Sequence, residues 1–108
     1  CDAAARGCAR FAQLDMPSFP DTETTFAELH ARIDKVVSSI KAIAPDKFDG
    51  ADKREITFPS GPNQTRTVTG QQYLNHMALP NFFFHCPTAY DILRHKGVEL
   101  GKRDFLGA

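Results

Sequence analysis

Apolar positions along the chain fall into helical stripes separated by one alternating pair of segments. Phe26, Leu29, Ile33, Val36, Val37, Ile40 and Ile43 recur at three- and four-residue steps, the period of one helix face. Glu28, Arg32, Asp34, Lys35, Ser38 and Lys41 fall on the other side. Thr25-Phe26-Ala27-Glu28 reads as a capping box, in which hydroxyl and carboxylate satisfy free backbone donors; Pro45 is expected to end this helix. An earlier helix is predicted over residues 2–14, with Cys1, Ala4, Ala5, Cys8, Phe11 and Ala12 on one face and no cap in front. Side chains this small allow close approach but bury little area. Met16-Pro17-Ser18-Phe19-Pro20 stops it in an extended connection.

Residues 45–54 are polar turn material around one anchoring aromatic, Phe48. Glu55-Ile56-Thr57-Phe58 and Thr65-Arg66-Thr67-Val68-Thr69 then alternate at period two across Pro59-Ser60-Gly61-Pro62-Asn63-Gln64, which predicts a small hairpin. An isolated hairpin is marginal in water, so Ile56, Phe58 and Val68 are expected against the helices. Thr69 caps the last helical region, which runs to about Lys96 and stops at Gly97. Pro80 reads as the first turn of a new helix after a break, whereas Pro87 is either a kink or a sign that this helix starts later. The tail from Val98 is too short for another bundle helix, and Leu100, Phe105 and Leu106 pack it back onto the surface.

Composition narrows the function classes. The chain has 108 residues, 13 basic and 13 acidic groups, and 42 % hydrophobic residues, which means one domain, residues 1–108, near the lower end for a self-sufficient core. Charge balance argues against a nucleic-acid clamp. No stretch reaches the ~20 apolar residues of a membrane span. Three cysteines, Cys1, Cys8 and Cys86, lack metal-type spacing and read as thiols in a reducing cytoplasm.

The chemistry-bearing segment runs from Asn81 to His95. Asn81 and His85, four apart, share a helix face and can converge on one ligand. Imidazole suits zinc, nickel or iron, while a carboxamide is a weak ligand. The plainer reading makes His85 a core histidine with hydrogen-bonded ring nitrogens. His76 falls opposite His85 on an unbroken helix, His95 belongs to the helix C-terminus, and His30 sits by Asp34 as a boundary residue. Phe82, Phe83 and Phe84 cover about two hundred degrees of arc, which predicts a central core helix. Tyr90 and Asp91 are proton-transfer candidates without a nucleophile series around them, and Lys102-Arg103 beside Asp104 reads as solvated surface.

Taken together, Thr22-Glu23-Thr24-Thr25-Phe26-Ala27-Glu28-Leu29, Arg54-Glu55-Ile56-Thr57, Leu79-Pro80-Asn81-Phe82-Phe83-Phe84-His85, Thr88 to Val98, and Leu100-Gly101-Lys102-Arg103-Asp104-Phe105-Leu106-Gly107 resemble the bacterial DUF1993 family, grouped with DinB/YfiT-like proteins. The resemblance runs nearly end to end. It implies a mainly α fold: a DinB-like up-and-down four-helix bundle lacking its first helix and part of the second, with a small β-hairpin between the last two helices. Family members usually carry Thr or Ser where this chain has Pro87.

Many proteins of the wider superfamily bind a divalent metal through three histidines, and some are metal-dependent transferases or hydrolases. By position, Asn81 and His85 stand where the i,i+4 ligand pair falls, with Asn81 in place of a histidine and the third ligand around or before Cys1. Two expectations follow. One is a non-catalytic bundle module, a candidate homodimer with room for a small-molecule ligand, in which Asn81 and His85 form a buried polar pair. The other is a divalent-metal enzyme (Zn, Ni or Fe) acting on a small molecule through His85. Because helices cut from a larger bundle expose faces built for burial, the chain should melt in a broad, weakly cooperative transition by circular dichroism. A sharp transition counts against that picture.

Overall fold

The first helix, α1 (Asp2–Ala12), is the element around which the others are arranged. Asp2 in its first turn and Arg10 in its last both complement the helix dipole. Gln13 turns left-handed at φ 54° and closes the end, one residue before the expected boundary at Leu14. The computed structural model describes residues 1–15 and 18–108, so the expected stop at Met16-Pro17 lies outside the described residues. Ala5, Gly7, Ala9 and Ala12 of α1 are buried. This is a broader face than the periodicity indicates, because α1 is packed on two sides.

On one side lies α2 (Phe26–Lys41), opened by the expected capping box: the Thr25 hydroxyl accepts from the Glu28 N–H while the Glu28 carboxylate accepts from the Thr25 N–H. Ala5, Phe19 and Val36 form the small core between the two helices, with Ile40 against it. The rest of the α2 stripe departs from expectation. Phe26 is 84 % exposed, and Leu29, Ile33 and Val37 are also exposed, since α1 meets only the Val36–Ile40 edge. The helix ends at Lys41, before Pro45. Ala44, which precedes that proline, is extended (ψ 137°), and Pro45 opens a 3₁₀ turn, Pro45–Phe48.

On the other side lies the hairpin of β1 (Glu55–Gly61) and β2 (Gln64–Thr69). Its strands pair antiparallel from Glu55↔Thr69 to Gly61↔Gln64, with an irregularity between Pro59 and Gly61. The expected six-residue loop is therefore only Pro62-Asn63. Both strands are sheet edges, so Pro59 can stay in β1 without breaking a ladder, and Asn63 supplies the left-handed turn residue at φ 56°. Ile56 and Phe58 are buried with Tyr73, with Phe11, Val68 and Ala78 against them. The Tyr73 ring is 5.0 Å from Phe58 and 5.4 Å from Phe11.

Thr69 and Gln72 form a second capping box at the start of α3 (Gly70–Tyr73). A π turn, Leu74–Ala78, then joins it to α4 (Leu79–His95). Pro80 has no N–H for the carbonyl one turn back, and the change to wider bonding occurs just before it. Pro87 lies inside α4, so the helix runs through it and does not start later. Thr88 beside it donates its hydroxyl to the Phe84 carbonyl. At the C-terminus, Gly97 at φ 88° bonds to the Arg94 carbonyl and Val98 to the Leu93 carbonyl, a Schellman closure.

Contrary to the expected central core helix, no residue of α4 is buried, and Phe84 is 66 % exposed. The Cα radius of gyration is 15.8 Å, against about 13 Å for a packed domain of 100 residues. The tail forms a short helix, α5 (Lys102–Leu106), strapped down by the Tyr90 hydroxyl on the Gly101 carbonyl and by Tyr90 against Phe105 at 5.2 Å.

Two glycines have opposite roles. A Cβ at Gly70 would lie 1.7 Å from the Ala51 carbonyl oxygen, whereas one at Gly7 would meet only Ala78 Cβ at 3.9 Å. Gly70→Ala is therefore expected to lower stability by at least ~2 kcal/mol through backbone displacement. Gly7→Ala should raise it by roughly 0.5–1 kcal/mol through helix propensity. Urea midpoints of the two variants check this; equal midpoints would refute the close-approach argument.

Candidate functional site

An open cleft of about 310 Å³ lies between α1 and the α3–α4 helical run, with Phe58 and Pro59 of the hairpin at its edge. From α1 it receives Asp2, Arg6 and Arg10, a ladder at four-residue spacing that shares one helix face. The facing run supplies Tyr73, Met77, Asn81 and His85, also at four-residue spacing. On a continuous α-helix, steps of four drift by about 40° each. The π turn between Tyr73 and Leu79 takes more residues per turn and offsets that drift. It is the local feature that keeps Tyr73 and His85 on the same wall.

Asn81 and His85 thus do share a site. They are not the expected buried pair, since Asn81 is half-buried and His85 exposed. His85 has the Phe84 ring edge-on at 5.3 Å and is not a core histidine. The remaining candidates stand elsewhere. His76 is exposed in the π turn and His95 exposed in the last turn of α4. His30 is exposed, and no ion pair to Asp34 occurs among the described residues. Tyr90 is spent on the tail, and Asp104 caps the Gly101 N–H at 2.7 Å. Cys8 and Cys86 are half-buried free thiols and Cys1 an exposed one; burial pushes the Cys8 thiol up from its ordinary value.

Arg10 donates to the Tyr73 hydroxyl at 2.8 Å, with its guanidinium carbon 5.8 Å from the ring centre. Tyr73 is only 3 % exposed, so this bond fixes Arg10 against a rigid ring. Asp2 is held differently. Its carboxylate meets Arg32 at 2.8 Å and Arg6 only at 3.7 Å. The Arg32 guanidinium keeps the Asp2 carboxyl below its ordinary value of 3.8. Arg32 also takes Glu23 at 2.7 Å, Asp21 at 3.0 Å, and the carbonyls of Phe19 and Pro20. A second hollow of about 300 Å³ beside Arg32 therefore faces a guanidinium whose donors are committed. The α1–α4 cleft retains free ones.

Among the described residues, no three His, Cys, Asp or Glu side chains form a metal-ligand group. Asn81 and His85 are present, but the implied third ligand is not among these residues. Sequence reasoning missed Arg6, Arg10, Asp2 and Tyr73. The signal lies in the Asp2-Arg6-Arg10 spacing, on a face of α1 other than its alanine stripe.

The architecture is that of a DinB-like protein: mainly helical, with a small two-stranded antiparallel sheet. The crystal structure of a DinB family member protein from Shewanella denitrificans at 1.83 Å resolution is similar at 40 % identity and a TM-score of 0.88. The likeness covers 100 % of this chain, which spans 61 % of that one. The chain belongs to the DUF1993 family, a domain of unknown function, which it matches over residues 1–106. No curated protein matches it, and no described helix is long and apolar enough to cross a membrane.

The Arg32 cluster fixes an acid dependence. Asp2 is lowered chiefly by Arg32; Glu23 is lowered by its own backbone N–H and then by Arg32. A depressed carboxylate contributes stability that is present above its unfolded value and lost as pH falls through its folded one. The native chain should therefore lose stability progressively below about pH 4.5, the ordinary value of Glu23. Arg32→Met should be less stable at neutral pH and show a shallower acid limb. Parallel urea-midpoint curves against pH for the two proteins would disprove the linkage.

Proposed function

We propose that the chain is a non-catalytic module of a four-helix bundle that binds a small molecule in the α1–α4 cleft. The observation that carries this reading is the company of His85. The residue sits with Asn81 and two arginines, Arg6 and Arg10, and the one carboxylate nearby, Asp2, is already paired with Arg32. Two guanidinium charges oppose a divalent cation, and a carboxamide beside one imidazole is a weak ligand pair. A further reading concerns assembly. The exposed apolar positions on α2 (Phe26, Leu29, Ile33) and on α4 (Phe83, Phe84, Ile92) are too numerous for ordinary surface, and they support completion of the bundle by further helical packing, as in a homodimer.

The competing reading, a transferase or hydrolase with metal on His85, makes a different prediction for one measurement. Metal content of protein purified without chelator is expected to be well below one equivalent, and unchanged by His85→Ala. Stoichiometric zinc, nickel or iron that disappears in the variant would overturn the non-catalytic reading. Sedimentation equilibrium tests assembly: a dimer that Phe84→Glu converts to monomer supports it, and a monomeric wild type refutes it.

A further inference from the structure

We infer that the ligand of the α1–α4 cleft is a small organic oxyanion, a carboxylate or phosphate group on a short apolar body. The inference rests on the reading of that cleft as a ligand site and adds the ligand's chemistry.

Three observations carry it. First, the cationic groups outweigh the acidic one. Arg6 and Arg10 both line the cleft, while the single carboxylate there, Asp2, is bound by Arg32 at 2.8 Å and so is largely neutralised toward the cavity. Second, donors remain free. Arg6 is half exposed, with a side-chain accessibility of 54 %, and among the described residues its ion pair is the long one to Asp2 at 3.7 Å. Arg10 uses one N–H on the Tyr73 hydroxyl, and a guanidinium carries five donors in a planar fork suited to oxyanions. The Tyr73 oxygen accepts from Arg10, which leaves its own proton for a further acceptor; none is engaged by it among the described residues. Asn81 adds amide donors from the opposite wall. Third, the remaining lining is apolar. Phe58, Met77 and Ala78 offer a surface for a short hydrocarbon or ring, and a volume near 310 Å³ lies at the small end of the ligand-pocket range.

The cation of choice for testing is Arg6. Its side chain is exposed and, among the described residues, is held by nothing shorter than the 3.7 Å pair to Asp2, so Arg6→Gln is expected to fold, whereas Arg10 is tied to the buried Tyr73 ring. Amide spectra of the ¹⁵N-labelled chain are to be recorded against benzoate, phenyl phosphate and neutral benzamide. Saturable shifts at Arg6, Arg10, Asn81 and His85 are expected with the two anions and not with benzamide. Arg6→Gln should weaken anion binding roughly tenfold or more, the usual loss for one charge-assisted contact, with Arg6→Lys intermediate. The stronger of benzoate and phenyl phosphate identifies the acid group. If benzamide binds as well as the anions and Arg6→Gln changes nothing, the cleft is a ligand site but the oxyanion assignment is wrong. If no probe shifts these residues at millimolar concentration, the assignment is likewise overturned. Stoichiometric metal on His85 would instead remove the reading beneath it.

Discussion

The guanidinium of Arg32 is the interaction on which both the fold and the site depend. It stands on α2 but binds two other parts of the chain: Asp2 at the start of α1, and the connection, where it takes the carboxylates of Asp21 and Glu23 and the carbonyls of Phe19 and Pro20. A planar fork with five donors can hold so many acceptors, whereas an ammonium with three could not. Its side chain is only 10 % exposed, so removal would leave Asp2 and Glu23 without their cation at the α1–α2 junction. Arg32 also sets the charge of a cleft that it does not line. By taking the Asp2 carboxylate at 2.8 Å, it leaves Arg6, among the described residues, with a partner at 3.7 Å. The structural ion cluster on one side of α1 thereby frees a cation on the other.

Small residues make that arrangement possible. Ala5, Gly7, Ala9 and Ala12 let α1 lie against α2 on one flank and against the hairpin and helical run on the other. The same smallness limits what burial contributes, because an alanine removes little apolar area from water compared with leucine or phenylalanine. Specific polar clamps add to the thin core. Arg54 is one of them, donating to the carbonyls of Phe11, Lys47 and Asp49 and so fastening the end of α1 to the loop before β1. Gly70 is another constraint, since its N–H meets the Arg54 carbonyl at 2.8 Å where no side chain would fit.

What could be read from sequence was local chemistry. The Thr25–Glu28 capping box, the cap at Thr69, the left-handed Gly97 and the alternation of Ile56 and Phe58 depend on neighbours within four residues, and each stands where the pattern places it. What could not be read was which neighbour covers a face. The Phe82-Phe83-Phe84 run is apolar on most of its circumference, yet exposure is decided by elements distant in sequence, and Phe84 points to solvent. The hairpin turn is shorter than its composition indicates, because proline and glycine usually break strands, a rule that weakens in a two-stranded sheet with two free edges. The π turn has no local signature beyond Pro80, although it aligns the whole cleft wall.

The pairing of Asn81 with His85 shows why spacing alone does not fix chemistry. Two residues four apart on α4 define a direction, and the opposite wall defines what can sit there. A carboxylate or imidazole facing them would favour a cation; α1 presents Arg6 and Arg10 instead. On the proposed reading these charges suit an anion, and the same imidazole and carboxamide would serve it as hydrogen-bond donors. Tyr73 reinforces the choice, because a hydroxyl that accepts from Arg10 at 2.8 Å has its proton directed away from that guanidinium. On the proposed reading, the walls of α1 and α4 together suit a negatively charged group held between them.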